Sequence, residues 1–240
     1  MSKKQNQKQD VINFYDVMPK DMLPKADNPN INLHHLNLPF RMCIVAPSGS
    51  GKTNFLLNLI HLFSKGKGTF QSITILTRVA DEPLYNFLKS KAENIQILEG
   101  LSKTPQLEKF DKTENHLVVW DDLVLAKSLE MVENYYIRAR KFNVSCIFIS
   151  QSYYHIPTMI RKNSTYIIIL KLGSGNREVK CIISEFGMGL EKEQLLAMYE
   201  YATDTKFIPL IVDMETTDKT KKFRKGFDEY INVNDFREIE

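Results

Sequence analysis

Eight consecutive residues, Ala46-Pro47-Ser48-Gly49-Ser50-Gly51-Lys52-Thr53, carry the most specific chemistry in the chain. They follow the pattern GxxxxGK[ST] except that Ala46 replaces the first glycine. The second half, Gly49 to Thr53, is intact. Glycine at 49 and 51 lets backbone wrap closely around phosphate oxygens, so that amide hydrogens converge on an anion at a helix N-terminus. In such a loop Lys52 reaches the β- and γ-phosphates of a nucleotide, and the Thr53 hydroxyl ligates Mg²⁺. The phosphate-binding set is Pro47, Ser48, Gly49, Ser50, Gly51, Lys52, Thr53 and Asn54. The competing reading is a glycine-rich turn that merely caps a helix. The order strand, loop, Lys-Thr, helix disfavours it.

A second constellation lies further along. Leu117-Val118-Val119-Trp120 is an apolar run that delivers Asp121-Asp122 to its end. An acid at the C-terminal end of such a strand holds Mg²⁺ in phosphate-loop enzymes. By itself the arrangement is common; beside the loop, a metal role for Asp121 is the expectation. Asp122 either orients or deprotonates an attacking water or is a helix N-terminal acid favoured by the dipole. The run Val144–Ile149 ends in Ser150-Gln151. A neutral amide donates to a γ-phosphate oxygen and accepts from water. In a strand inserted between the loop strand and the Asp121 strand, Gln151 would sense the nucleotide.

These groups need elements to hold them. Met42–Val45 reads as a buried strand and Asn54 to Phe63 as a helix. Ser72–Thr77 is a strand, Pro83–Ala92 a helix, since Pro is tolerated in a first turn, and Ile95–Leu98 a short strand. In Val124–Arg140 the residues Leu125, Leu129, Val132 and Tyr136 make a helical stripe. Tyr166–Leu170 is a strand, Glu191–Ala202 a helix, and Phe207–Val212 a strand that Pro209 marks as edge or irregular. Continuous apolar strands alternating with helices predict an α/β fold with a mostly parallel central sheet and helices on both faces. The boundaries are an N-terminal arm or irregular lead-in over 1–38, a core over 39–213 and a polar tail over 214–240.

Composition sets limits. The chain has 240 residues, 43% hydrophobic and 25% charged, which excludes a wholly disordered chain or a collagen. Net charge is +3, too close to balance to argue for nucleic-acid binding alone. Three cysteines without a CxxC argue against a zinc site or disulfide framework, and a reducing compartment is the default. No apolar run approaches the ~20 residues that span a bilayer. Trp120, Cys43 and Cys146 are expected in the core, Tyr153 and Tyr154 as packing residues, and the histidines, His34-His35 included, on the surface.

The segments APSGSGKT, LVVWDD, RKFNVSCIFISQ and SYYHIPTMIRKN, in this order, resemble the viral genome-packaging ATPases of the FtsK–HerA superfamily, the poxvirus-type group most of all. The resemblance covers about residues 39 to 213. It implies a RecA-like P-loop NTPase core that hydrolyses ATP, assembles as a homo-oligomeric ring of five or six subunits and translocates double-stranded DNA into a preformed capsid. Lys52 and Thr53 would bind ATP–Mg²⁺, Asp121 the Mg²⁺, and Asp122 would take the water-activating role that wider relatives give to Glu. Gln151 would be the sensor. Arg140, 11 residues before Gln151, would be the trans-acting arginine finger, with Arg161 and Arg138 as the other contenders. Capsid vertex proteins would be partners, and the host-cell cytoplasm, a viral factory or the virion the location.

DNA contacts would be to phosphates, independent of sequence. Candidates are Lys171, Arg177 and Lys180 around the Gly173–Asn176 turn, and the cluster Lys219, Lys221, Lys222, Arg224 and Lys225. Both groups also read as ordinary solvated charge. The alternatives to a motor are a P-loop kinase and a nucleotide-dependent switch or interaction protein. The kinase lacks an evident lid and acceptor pocket, and no Asn-Lys-x-Asp is present to read guanine.

Overall fold

The computed structural model describes residues 11–19, 27–124, 128–173, 177–186 and 190–236. Among these residues nine strands form one sheet: β1 (Arg41–Val45), β2 (Ser72–Thr77), β3 (Ile95–Glu99), β4 (His116–Asp121), β5 (Val144–Ser150), β6 (Tyr166–Ile169), β7 (Leu210–Asp213), β8 (Phe223–Lys225) and β9 (Glu229–Tyr230). Their order is β3-β2-β4-β5-β1-β6-β7-β8-β9. The pairs from β3 to β6 are parallel, and those from β6 to β9 antiparallel. The inserted-strand expectation holds, because β5 lies between β4 and β1.

Among the described residues the helices longer than one turn are α1 (Lys52–Phe63), α2 (Pro83–Lys89), α3 (Glu130–Arg138), α4 (Thr158–Asn163), α5 (Arg177–Phe186) and α6 (Lys192–Ala202). Side chains alternate across a strand, so each central strand feeds two cores. Met42 and Ile44 of β1 join Leu117 and Val119 of β4 with Phe55, Leu59 and Phe63 of α1 and Tyr85 and Leu88 of α2. Cys43, Val45, Val118 and Trp120 face the opposite way, against Val132 and Tyr136 of α3, Ile160 of α4, Val179 of α5 and Met198 of α6. Burial on both faces is why these strands read as unbroken apolar runs.

Several expectations are corrected. The helix expected over Val124–Arg140 spans Glu130–Arg138 and tightens into a 3₁₀ turn over Ala139–Phe142; residues 125–127, with Leu125 and Lys127, lie outside those described. Helix α5 was not anticipated, although Val179, Ile182, Ile183 and Phe186 follow helical spacing. Pro209 precedes β7, which is not an edge strand but is flanked by β6 and β8. The segment expected as a polar tail supplies β8 and β9, and its Arg224 is 1% exposed. Arg224 donates through Nη1 to the carbonyls of His34 (3.1 Å) and Phe227 (2.8 Å), so a cation that resembled surface charge ties the lead-in to a hairpin. His34 and His116 are buried, against the surface expectation. The His34 Nδ1 accepts from the Leu36 N–H at 3.0 Å, and burial followed by His35 and Arg224 lowers its pKa to about 4. Tyr153 is buried while Tyr154 is exposed.

Candidate functional site: a phosphate loop facing two carboxylates

Strand β1 ends at Val45, and Ala46 extends its ladder by donating its N–H to the Ser150 carbonyl at 3.0 Å. Ala46 is fully buried, so a small residue serves here as packing and the missing glycine costs no conformational freedom. Gly49 (φ 77°) and Gly51 (φ 94°) occupy the left-handed region that glycine enters without penalty. The Ser50 N–H bonds to the Pro47 carbonyl, and the Phe55 N–H closes the first turn of α1 on Gly51. Among the described residues, the amides of Gly49, Gly51, Lys52 and Thr53 make no hydrogen bond. They are the orphan donors of a loop and a helix N-terminus, which is the arrangement that suits a phosphate.

Asp121 closes β4, in register with Thr77 of β2 and Ile149 of β5. The residue is 4% exposed. Tyr85 of α2 donates its hydroxyl to Oδ2 at 2.5 Å, while Oδ1 is buried without a partner among the described residues. Burial raises the Asp121 pKa; the Tyr85 hydrogen bond and the Lys52 charge oppose this, and Asp122 and Glu82 add to it. A buried carboxylate oxygen with no donor, near a lysine and a threonine, is what a cation site leaves exposed to its ion. The donor set therefore fits Mg²⁺.

Asp122 turns off the strand in the left-handed region (φ 56°), its N–H held by the Ile149 carbonyl at 3.1 Å. It is not a helix-start acid, since α3 begins eight residues later at Glu130. Gln151 donates from Nε2 to Asp122 Oδ2 at 2.6 Å. A cleft of about 200 Å³ is lined by Lys52, Thr53, Thr77, Arg78, Val79, Glu82, Asp121 and Asp122. The structure thus brings together Lys52, Thr53, Asp121 and Asp122, with Gln151 attached through Asp122. Arg78, Glu82 and Tyr85 were missed. Arg78 had a weak signal, since it directly follows a strand whose C-terminal end belongs to the ligand edge of a parallel sheet. Tyr85 had none, because an aromatic in a helix reads as core.

The arginines fall elsewhere. Arg138 pairs with Glu108 at 2.7 Å. Arg161 pairs with Glu185 at 3.0 Å and lies over the Tyr153 ring, 4.6 Å from its centre. Arg140 is exposed and makes no ion pair among the described residues. It precedes β5, whereas Gln151 follows it. The seven extended residues of β5 lie between them, about 20 Å. Arg140 is therefore at the opposite edge of the sheet from its own phosphate loop. Of the basic candidates, Lys171, Arg177 and Lys180 are exposed around residues 174–176, which lie outside those described. Lys225 bonds to Asp204 at 2.9 Å. No helix among the described residues is long and apolar enough to cross a membrane.

The family model "Poxvirus A32 protein" matches residues 32–220. DNA packaging protein OPG160 of vaccinia virus and of variola virus is 28% identical over 155 residues, which is 60% of this chain and 57% of theirs. The chain thus spans little more than half the length of the curated relatives it matches. Among solved structures, the genome packaging NTPase B204 from Sulfolobus turreted icosahedral virus 2, in complex with ATP-gammaS, matches 80% of this chain and 100% of its own, at 16% identity and TM-score 0.53. EssC (ATPases 2 and 3) from Geobacillus thermodenitrificans matches 73% of this chain and 38% of its own, at 10% identity and TM-score 0.54. These likenesses establish the fold as that of P-loop NTPases, and the family match covers most of the described core. The chain belongs to the poxvirus A32 protein family.

Proposed function

We propose that this chain is an ATP-driven motor that translocates double-stranded DNA into a preformed capsid. The reading rests on one observation above all: Lys52, Thr53, Asp121 and Asp122 line a single cleft at the mouth of α1. The names of the relatives, DNA packaging proteins, support the DNA and its packaging.

In this reading the amides of 49–53 and Lys52 receive the phosphates. Thr53 and Asp121 would hold Mg²⁺, which would supply charge neutralisation at the phosphates. Asp122 orients water in line with the γ-phosphorus and takes its proton, and Gln151, already bonded to Asp122, registers loss of the γ-phosphate. Arg140 lies too far from its own loop to act there, so its role as a finger requires a neighbouring subunit, in a ring of five or six. The capsid vertex is the docking partner and the host-cell cytoplasm or viral factory the location.

The test is ATP hydrolysis by the whole chain with Mg²⁺, with and without double-stranded DNA, and no small acceptor. DNA is expected to raise turnover. Lys52→Ala should abolish it. Arg140→Ala should lower turnover of the assembly ~10³-fold or more and, mixed with wild type, suppress activity faster than its own fraction rises. Turnover that needs a small-molecule acceptor, or an isolated monomer as fast as the assembly, would defeat the motor reading.

A further inference from the structure

We propose that a second cleft, between the start of α1 and the β8–β9 turn, takes the aromatic base of the nucleotide, with Phe207 as its stacking platform. This deepens the nucleotide reading and rests on it. The reacting end of the triphosphate is fixed by Asp121, Asp122 and Gln151, which come from β4 and β5 on one side of β1. The rest of the nucleotide therefore extends past Asn54 towards the other side, where β6, β7 and β8 lie. A cleft of about 350 Å³ opens there, lined by Asn54, Asn58, Phe207, Pro209, Phe227 and Asp228 among others. That volume is in the range of small-ligand pockets.

Phe207 has the features of a residue kept for a ligand. It is a bulky side chain at φ 72°, where such residues are outliers, and it is 41% exposed. It belongs to neither buried core. The ring instead abuts the phosphate loop: a Cβ on Gly51 would lie 2.2 Å from Phe207 Cδ1. One aromatic ring thus touches the phosphate loop and lines the cleft beside it. The Lys206 ammonium is 4.8 Å from the ring centre, so the ring already attracts a cation, and a flat base competes for the same kind of surface.

The opposite wall is held in place. Phe227 stacks on Phe55 of α1, with centroids 5.3 Å apart and planes at 11°. Arg224 grips the Phe227 carbonyl at 2.8 Å, and the Gly226 N–H bonds to the Pro209 carbonyl at 3.0 Å. Asp228, which lines the cleft, offers a carboxylate, an acceptor for the exocyclic amine of a base such as adenine; the neighbouring Glu229 already accepts from the Tyr201 hydroxyl.

Binding of Mg–ATP and of inorganic tripolyphosphate to the whole chain, measured by calorimetry, separates base from phosphates. Wild type should bind ATP the more tightly. Phe207→Ala should weaken ATP about tenfold and leave tripolyphosphate unchanged. Phe207→Tyr, which keeps the ring, should restore ATP affinity. The proposal is overturned if Phe207→Ala binds ATP like wild type, or if it loses both ligands equally, which would mean the ring acts only on the loop through Gly51. A wild-type chain that binds neither ligand would overturn the nucleotide reading and this one with it. A Lys52→Ala chain losing both ligands while Phe207→Ala loses only ATP would support both.

Discussion

The two halves of the sheet divide the labour. From β3 to β6 every strand runs the same way, so the C-terminal ends of β1, β2, β4 and β5 lie along one edge and Gly49–Thr53, Arg78, Asp121, Asp122 and Gln151 meet there. From β6 to β9 the strands alternate in direction, and their ends are shared between two edges. That half cannot gather strand-end side chains. It supplies walls instead, in the turn at 225–229 and in Phe207. Parallel pairing concentrates chemistry at an edge, as the carboxyl-end rule for open α/β sheets requires, and antiparallel pairing extends the scaffold beside it. The two halves also differ in how they are held. The parallel strands are apolar on both faces, and β7 still feeds both cores, whereas the β8–β9 hairpin is pinned by the buried Arg224 guanidinium.

That contrast can be broken at its weakest point. Arg224→Met keeps the bulk but leaves the carbonyls of His34 and Phe227 without their donor. An unsatisfied buried group costs ~1–3 kcal/mol, so we expect a loss of about 3 kcal/mol in chemical denaturation. Weakened ATP binding with less effect on tripolyphosphate should accompany it. An unchanged denaturation midpoint would mean the antiparallel half does not depend on this residue.

On the parallel side, Tyr85→Phe removes the one side-chain donor to the Asp121 carboxylate among the described residues and little else. Hydrogen bonds to charged groups are worth ~1.5–3 kcal/mol, so the Mg²⁺ concentration for half-maximal ATP turnover should rise about tenfold with little change in melting temperature. A fall in melting temperature with unaltered Mg²⁺ dependence would make Tyr85 a packing residue only.

The smallest effect concerns the seam between lead-in and hairpin. His34 is held neutral in the folded chain, with its pKa near 4, while the unfolded chain takes up the proton near 6.5. The unfolded state therefore binds more protons between these values, and stability falls as pH drops from about 6.5 towards 4. Protonation also ends the acceptance from Leu36. His34→Asn, which keeps an acceptor but does not titrate, should flatten the slope of melting temperature over this window. An identical slope in both chains would exclude His34 as its source.

Much of the parallel half was legible because its signals are local. Strands Ser72–Thr77 and Val144–Ser150 are short β-branched runs bounded by polar residues, and they fold within a residue of where the pattern places them. The antiparallel half was not. β8 is three residues long, in a stretch of lysines, and takes its burial from β7 and the lead-in rather than from its own pattern. The same holds within the site. Asp121 was legible as an acid at the end of an apolar strand. The hydroxyl that orients it comes from a helix 36 positions away and carries no spacing signal.

The amino-acid sequence by itself determined the phosphate loop, because such a loop needs only two glycines, a Lys-Thr pair and a helix start within eight neighbouring residues. It also determined which strands are buried on both faces, since unbroken apolarity records that directly. Only the tertiary structure decided that β5 slots between β4 and β1, that Tyr85 reaches Asp121, that Arg224 turns inward and that Phe207 lies against Gly51. Each of these depends on which distant segment arrives beside a given residue, and the free energy that selects it belongs to the assembled contact, not to either segment alone.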